Sequence, residues 1–462
     1  MTRPAFAAGC AAAAVLLSAV ACGTPKAAEP AAAATPPAAA RGAATSGAGV
    51  CPTRGAWATE VTAAGRVAWQ VRLPTAAQQQ GIELQPLVIG GVAIFAEENA
   101  VYGIRLSDGR QLWHRAFSKD IAAEGGAVYG LWQSGGRVVV LTGQVSTSAR
   151  LTALTASTGT VSWTLRLPGS GLLGSQAQGS GDALAILQPN GVLESVDLAS
   201  DTVLWSHRAG QSLGPAAIGS VVAAGSAGRV SGYDDRTGRV LWTASGLGAQ
   251  TDVVAADGLF LAFASTETGG VVALNARTGR VEWRFRLATI LGAGPAGIAF
   301  ATSTPRRLYL VNPATGRARW SVAASAAAAA DNLGQLAETS AEVVLPEAHV
   351  TLRTDVNRLV ARGAVDGRAL WSAPLADGTG GLALLSLAGG RAIAVTDTQT
   401  TGSSEHTRLA LLRLGTGRQL TSVTLPDMVL APLTITGTSI LAQSDSPSCA
   451  TAFNGTAVVP TR

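Results

Sequence analysis

Lysine is nearly missing from this 462-residue chain: Lys26 and Lys119 are its only copies. The net charge of +5 therefore rests on arginine, and the arginines are spread at intervals rather than gathered in runs. No basic patch interleaved with aromatics exists, which argues against a nucleic-acid binder. Charged residues reach only 14%, well under the roughly 25% of ordinary soluble domains. Histidine is scarce, and His114, His207, His349 and His406 lack metal-ligand spacing. Cysteine is limited to Cys10, Cys22, Cys51 and Cys449, with no adjacent pair and no C-x-x-C. No acidic cluster has the spacing of a calcium loop. Neither a metal nor a catalytic residue is expected. Beyond the N-terminus, no 10-residue stretch combines a 3.6-residue apolar period with caps, so helices are not expected.

A membrane-spanning run is missing too. The apolar stretch from Ala5 to Val20 is too short to cross a bilayer comfortably. With Arg3 before it and small residues after it, residues 1–21 read as an export signal. Leu17-Ser18-Ala19-Val20-Ala21-Cys22 resembles a bacterial lipobox, in which cleavage precedes the cysteine and its thiol takes a diacylglycerol. Ala19 stands where such boxes typically carry leucine. The alternative is an ordinary signal cut after Ala21. Residues 22–50 follow as Ala, Pro, Gly, Ser and Thr with almost no bulky apolar side chain. Such a segment buries too little surface to offset its ordering entropy and reads as a tether. The expected location is the outer face of the cell membrane, held there by Cys22.

What remains, 51–462, is rich in glycine, with 55 in the whole chain, and it repeats. A turn ending in glycine is followed four residues later by tryptophan: Gly65 and Trp69, Gly109 and Trp113, Gly159 and Trp163, Gly238 and Trp242, Gly279 and Trp283, Gly316 and Trp320, Gly367 and Trp371. Two copies depart from the pattern. Asp201 replaces glycine before Trp205, and Thr421 replaces tryptophan after Gly417. Eight of the ten tryptophans occupy this one position. Chance does not do that. Runs such as Leu151-Thr-Ala-Leu-Thr-Ala156 precede the turns with a period of two, which marks strands, and the Thr-Gly or Asp-Gly that follows marks a hairpin. Two further short apolar runs precede each such strand. Four strands recurring about every 44 residues make the blade of an all-β propeller. The glycine supplies the positive φ that a tight hairpin needs, and the tryptophan can lie between its own blade and a neighbour's hairpin.

The segments Asn275-Ala-Arg-Thr-Gly-Arg-Val-Glu-Trp283 and Asp234-Asp-Arg-Thr-Gly-Arg-Val-Leu-Trp242 resemble the tryptophan-docking motif of the pyrroloquinoline-quinone (PQQ) type of propeller repeat. The resemblance covers about residues 56–456 and concerns the fold. It implies a single propeller. Nine motifs are present, and eight blades are usual for the family; eight is the expectation, with nine open. The strand around Arg66–Val71 is expected to complete the sheet begun by the C-terminal segment. In a closed ring the two ends meet, so Cys51 and Cys449 are expected to form a disulfide clasp, with two free buried thiols as the alternative.

The family includes PQQ-dependent dehydrogenases, whose vicinal cysteines, quinone-facing tryptophan and calcium ligands have no counterpart here, so no cofactor is expected. Gly169-Ser-Gly-Leu-Leu-Gly174 and the pattern around Ser212 match phosphate-loop and nucleophile-elbow strings, but both read as connections because no helix follows. Arginine follows the turn glycine in seven copies, and reads as a repeated solvated turn residue or a circle that attracts an anionic surface. In architecture and location the chain resembles the lipoprotein propellers that scaffold outer-membrane protein assembly. The expected function is therefore a monomeric, non-catalytic scaffold or binding module for a protein or cell-envelope ligand. The alternatives are a diverged quinoprotein oxidoreductase and a sensor of a small ligand.

Overall fold

The computed structural model describes residues between 55 and 445, apart from connecting segments of which 324–342 is the longest. The signal, Cys22, the tether and both Cys51 and Cys449 lie outside the described residues. Every element is a β-strand. Among the described residues one five-stranded and eight four-stranded sheets form, nine altogether. Numbered along the chain, sheet 1 combines Gly55–Thr62 and Val67–Pro74 with Met428–Val429, Thr434–Thr436 and Ser439–Asp445. Sheets 2 to 9 occupy 87–116, 127–167, 175–208, 215–245, 251–285, 289–323, 343–374 and 382–425 in turn. Among the described residues no helix is long and apolar enough to cross a membrane.

These nine sheets equal the number of turn motifs, the count left open beside the expected eight. The reason is that the first and last motifs each head an outer strand of their own. Arg66 leads into Val67–Pro74, and Gly417 leads into Gln419–Leu425. The chain ends do share a sheet, as expected, with Ala56 opposite Asp445 and Thr62 opposite Ser439. The N-terminal side supplies two of its strands rather than one.

Sheet 5 shows how the sequence builds the unit. Pro215–Ile218, Val221–Ser226, Arg229–Asp234 and Val240–Ser245 pair in order as an antiparallel meander. Pro215, which has no N–H to donate, opens the strand at the sheet's edge. Val221–Ser226 is buried on both faces, because other sheets cover both sides. Sheet 3 does the same with Val138, Val139, Val140 and Leu141, so the second strands read as continuous apolar runs rather than alternations. The outer strand Val240–Ser245 is covered on one side only and alternates accordingly. After each turn the ladder slips by one residue; Tyr233 faces Val240 while Gly232 faces Trp242, leaving Leu241 as a bulge. That extra residue re-aims the tryptophan.

Consecutive sheets share apolar cores. Trp69 and Leu73 of sheet 1 pack on Phe95 and Tyr102 of sheet 2, whose Ile94 and Val101 face Val128 and Val140 of sheet 3. At the other end, Leu409, Leu411 and Leu425 of sheet 9 pack on Val61, Ile440 and Ala442 of sheet 1.

Candidate functional site

The recurring feature is the joint between one sheet and the next, and it starts from the turn. Gly109, Gly159, Gly238, Gly279, Gly316, Gly367 and Gly417 all hold φ between 65° and 70°, a left-handed conformation that glycine adopts without a Cβ clash. The Gly159 N–H donates to the Thr155 carbonyl at 2.8 Å, closing the turn. Each glycine has a second reason to lack a side chain: the indole of the preceding sheet lies on it. A Cβ on Gly109 would stand 2.6 Å from Trp69 Cβ and Cγ, and one on Gly159 would stand 2.5 Å from Trp113 Cδ2.

The indole N–H then donates to the carbonyl three residues before that glycine. Trp69 reaches Leu106 at 2.8 Å, Trp113 reaches Ala156 at 2.8 Å and Trp205 reaches Asp235 at 2.9 Å. Trp242, Trp283 and Trp371 repeat the bond to Ala276, Pro313 and Leu414. A buried indole with its one donor satisfied is a stable wedge.

A family model described as "Outer membrane protein assembly factor BamB" matches residues 122–261, 189–294 and 267–461. The chain belongs to this PQQ-like propeller-repeat family. Among solved structures it is similar to BamB from Moraxella catarrhalis, at 16% identity and a TM-score of 0.43, covering 79% of this chain and 95% of that one. It is similar to the computationally designed Ika8 protein, at 14% identity and TM-score 0.47, over 69% and 96% of the two chains. It is also similar to the quinohemoprotein alcohol dehydrogenase of Comamonas testosteroni, at 12% identity and TM-score 0.44, over 83% and 75%. No curated protein matches.

Two joints depart from the PQQ-like pattern. Trp163 is half-buried, and its N–H is enclosed without a partner. The residue it should lie on is Asp201, which keeps the positive φ of 56° but carries a side chain. The Leu198 carbonyl, the equivalent acceptor, receives no bond from the Trp163 N–H, and a side chain at Asp201 would compete with the ring for the space the glycines leave open. Asp201→Gly should let the ring settle. One recovered hydrogen bond and relieved backbone strain, less the added freedom of the unfolded chain, amount to a gain of about 1 kcal/mol. Equilibrium denaturation checks it, and an unchanged or lowered stability would refute this account of the joint. Trp320 also lacks a partner for its N–H. It faces Leu310 across the strand pair, where Trp113 and Trp242 face glycine and Trp283 faces alanine.

Sequence reasoning missed Asp235. It occupies the position three before the turn glycine, where other repeats have residues such as Leu106, Ala156, Leu198 and Ala276, and it is fully buried. Its Oδ2 accepts from the Ser180 N–H at 2.5 Å and from the Ser180 hydroxyl at 2.6 Å. Its carbonyl accepts from Ser195 and Trp205, while Oδ1 has no partner among the described residues. This carboxylate ties the inner loop of sheet 4 to the turn of sheet 5. An aligned column of repeats would have exposed it as one acid among apolar residues.

The histidines separate. His114 is exposed over Tyr102. His207 is half-buried, with Nε2 at 2.7 Å from the Gly238 carbonyl and its ring stacked on Tyr233. The side chains of His349 and His406, and the Gly169–Gly174 run, lie outside the described residues. Trp132 sits on an inner strand and packs beside the core of sheets 3 and 4 rather than in a joint.

Burial pushes the Glu194 carboxyl upward, opposed by the Gln188 amide at 2.7 Å, and burial raises Tyr129 as well. Burial lowers the Arg362 guanidinium. Asp234 is held below the usual carboxylate range by the Thr237 hydroxyl and N–H. For Asp197 burial acts upward, yet the Ala199 N–H, the Ser200 hydroxyl and Arg236 at 3.1 Å outweigh it and lower it. These groups stand in separate turns and strands. Among the described residues no three His, Cys, Asp or Glu side chains gather as a metal site.

Proposed function

We propose that this chain is a non-catalytic, monomeric scaffold of the cell envelope, a nine-bladed propeller tethered through a lipidated Cys22. The observation that carries the reading is where the repeated chemistry goes. Seven turn glycines and the seven tryptophans that lie on them are used in joints between sheets, leaving broad outer surfaces for a protein or envelope ligand. The family model's description as an outer-membrane assembly factor and the lipobox-like Leu17–Cys22 support the same reading. Closure of the wheel is supported by the shared sheet of the two chain ends and by the apolar contact of sheet 9 with sheet 1.

The clasp belongs to the same proposal. Ala56 and Asp445 are partners on neighbouring strands, and Cys51 and Cys449 follow them outward by a few residues. Intact mass under non-reducing conditions should show a chain with no alkylatable thiol from this pair; two modified cysteines would remove the clasp. The scaffold role is tested by crosslinking in cells followed by mass spectrometry of captured proteins. A reproducible envelope partner is expected, and capture of none would overturn it. Quinone absorbance after addition of PQQ and calcium would overturn the non-catalytic part.

A further inference from the structure

Six large apolar side chains are exposed among the described residues: Val161 at 40%, Val203 at 39%, Val240 at 52%, Val281 at 36%, Val365 at 76% and Leu370 at 46%. A soluble protein ordinarily scatters such residues singly over its whole surface. Here every one lies within three residues of a joint turn. Val161, Val203, Val240 and Val281 hold the same place, two residues after the turn position, in the consecutive sheets 3 to 6. Val365 and Leu370 flank Gly367 in sheet 8.

Three of these five turns carry the repeated arginine directly after the glycine, as Arg239, Arg280 and Arg368, while threonine follows Gly159 and Asp201; the intervening Gly316 turn carries Arg317. Arg239, Arg280, Arg317 and Arg368 are exposed; no guanidinium of the four makes a hydrogen bond or a close ion pair among the described residues, and Arg239 feels only the charge of Asp234 in its own turn. Three acids nearby are engaged within their own turns, while Asp201 stands exposed in its turn beside Val203. Asp108 holds Arg105 and the Arg110 N–H, Asp234 accepts from Thr237, and Asp366 accepts from the Arg368 N–H. Available positive charge and exposed valines thus share one edge of the sheets.

We propose that this turn edge rests on an anionic lipid surface, with the valines inserted among the headgroups and the arginines on the phosphates. The distribution favours lipid over an acidic protein. A protein partner buries one compact patch, whereas these residues repeat along an edge in shallow, spaced steps, which suits a flat interface where apolar insertion adds to headgroup attraction. In the propeller reading, on which the flatness of the edge rests, the turns share one face. That leaves the opposite face for the scaffold's partner.

The test uses the full chain with Cys22→Ser, so that no acyl chain contributes, and sedimentation with vesicles of phosphatidylcholine with or without phosphatidylglycerol. Binding should need the anionic lipid and weaken as salt rises. Arg239→Gln with Arg280→Gln should weaken it by roughly twentyfold, at about fivefold per arginine. Val240→Ser with Val281→Ser should weaken it by roughly three- to tenfold. These side chains are exposed, so denaturation midpoints should stay unchanged in both pairs. Equal binding to neutral vesicles, no binding at all, or anionic binding indifferent to both pairs overturns the proposal. None of these outcomes touches the scaffold reading, whose crosslinked partner is measured separately.

Discussion

Trp113→Ala should destabilise the protein by about 3–5 kcal/mol, the range for deleting a buried indole. The ring is framed on two sides by glycines, Gly103 across its own strand pair and Gly159 on the next sheet. It also belongs to the apolar core shared by sheets 2 and 3. Truncation would leave a cavity that two backbones must move to fill, and the Ala156 carbonyl would lose its donor. Trp163→Ala is the internal control. That ring is half-buried and its N–H is unbonded, so its loss should cost about half as much. Denaturant titrations of the two variants decide the matter; equal costs would mean that the turn contact contributes nothing.

The second large effect is expected at the other half of the same joint. Gly159→Val places a β-branched side chain at φ 68°, where any L-residue is strained by about 1–2 kcal/mol. Its Cβ would also stand 2.5 Å from Trp113 Cδ2, and overpacking of this kind costs about 1–3 kcal/mol. The sum is about 2–5 kcal/mol, in a residue that buries no side chain of its own. The two halves should couple. In the Trp113→Ala background the steric part disappears, so the double variant should be more stable than the two single losses added together. Simple additivity would show that the glycine serves its turn alone.

Much of this was legible in the chain as written. The period-two runs ahead of each turn are strands, and Leu151–Ala156 falls almost wholly in the strand Ala149–Thr155. Turn glycines stand at positive φ where the Thr-Gly and Asp-Gly pairs placed them. The neighbour-facing role of the tryptophans follows from their single repeated position. The burial of His207 was not legible, because a residue after an outer-strand tryptophan looks solvated in sequence. Only the approach of the next sheet's turn puts the Gly238 carbonyl within reach of its ring.

Strand, turn and repeat are local properties, set by backbone sterics and side-chain alternation within a few residues, and the sequence by itself determined them. The tertiary structure alone decided which turn each indole meets, and that Asp235 is enclosed while its neighbour Asp234 reaches solvent. It also decided that the exposed valines share an edge. Those facts depend on surfaces some forty residues apart in the chain being pressed together, and close packing makes a single Cβ, as at Asp201, enough to change the contact.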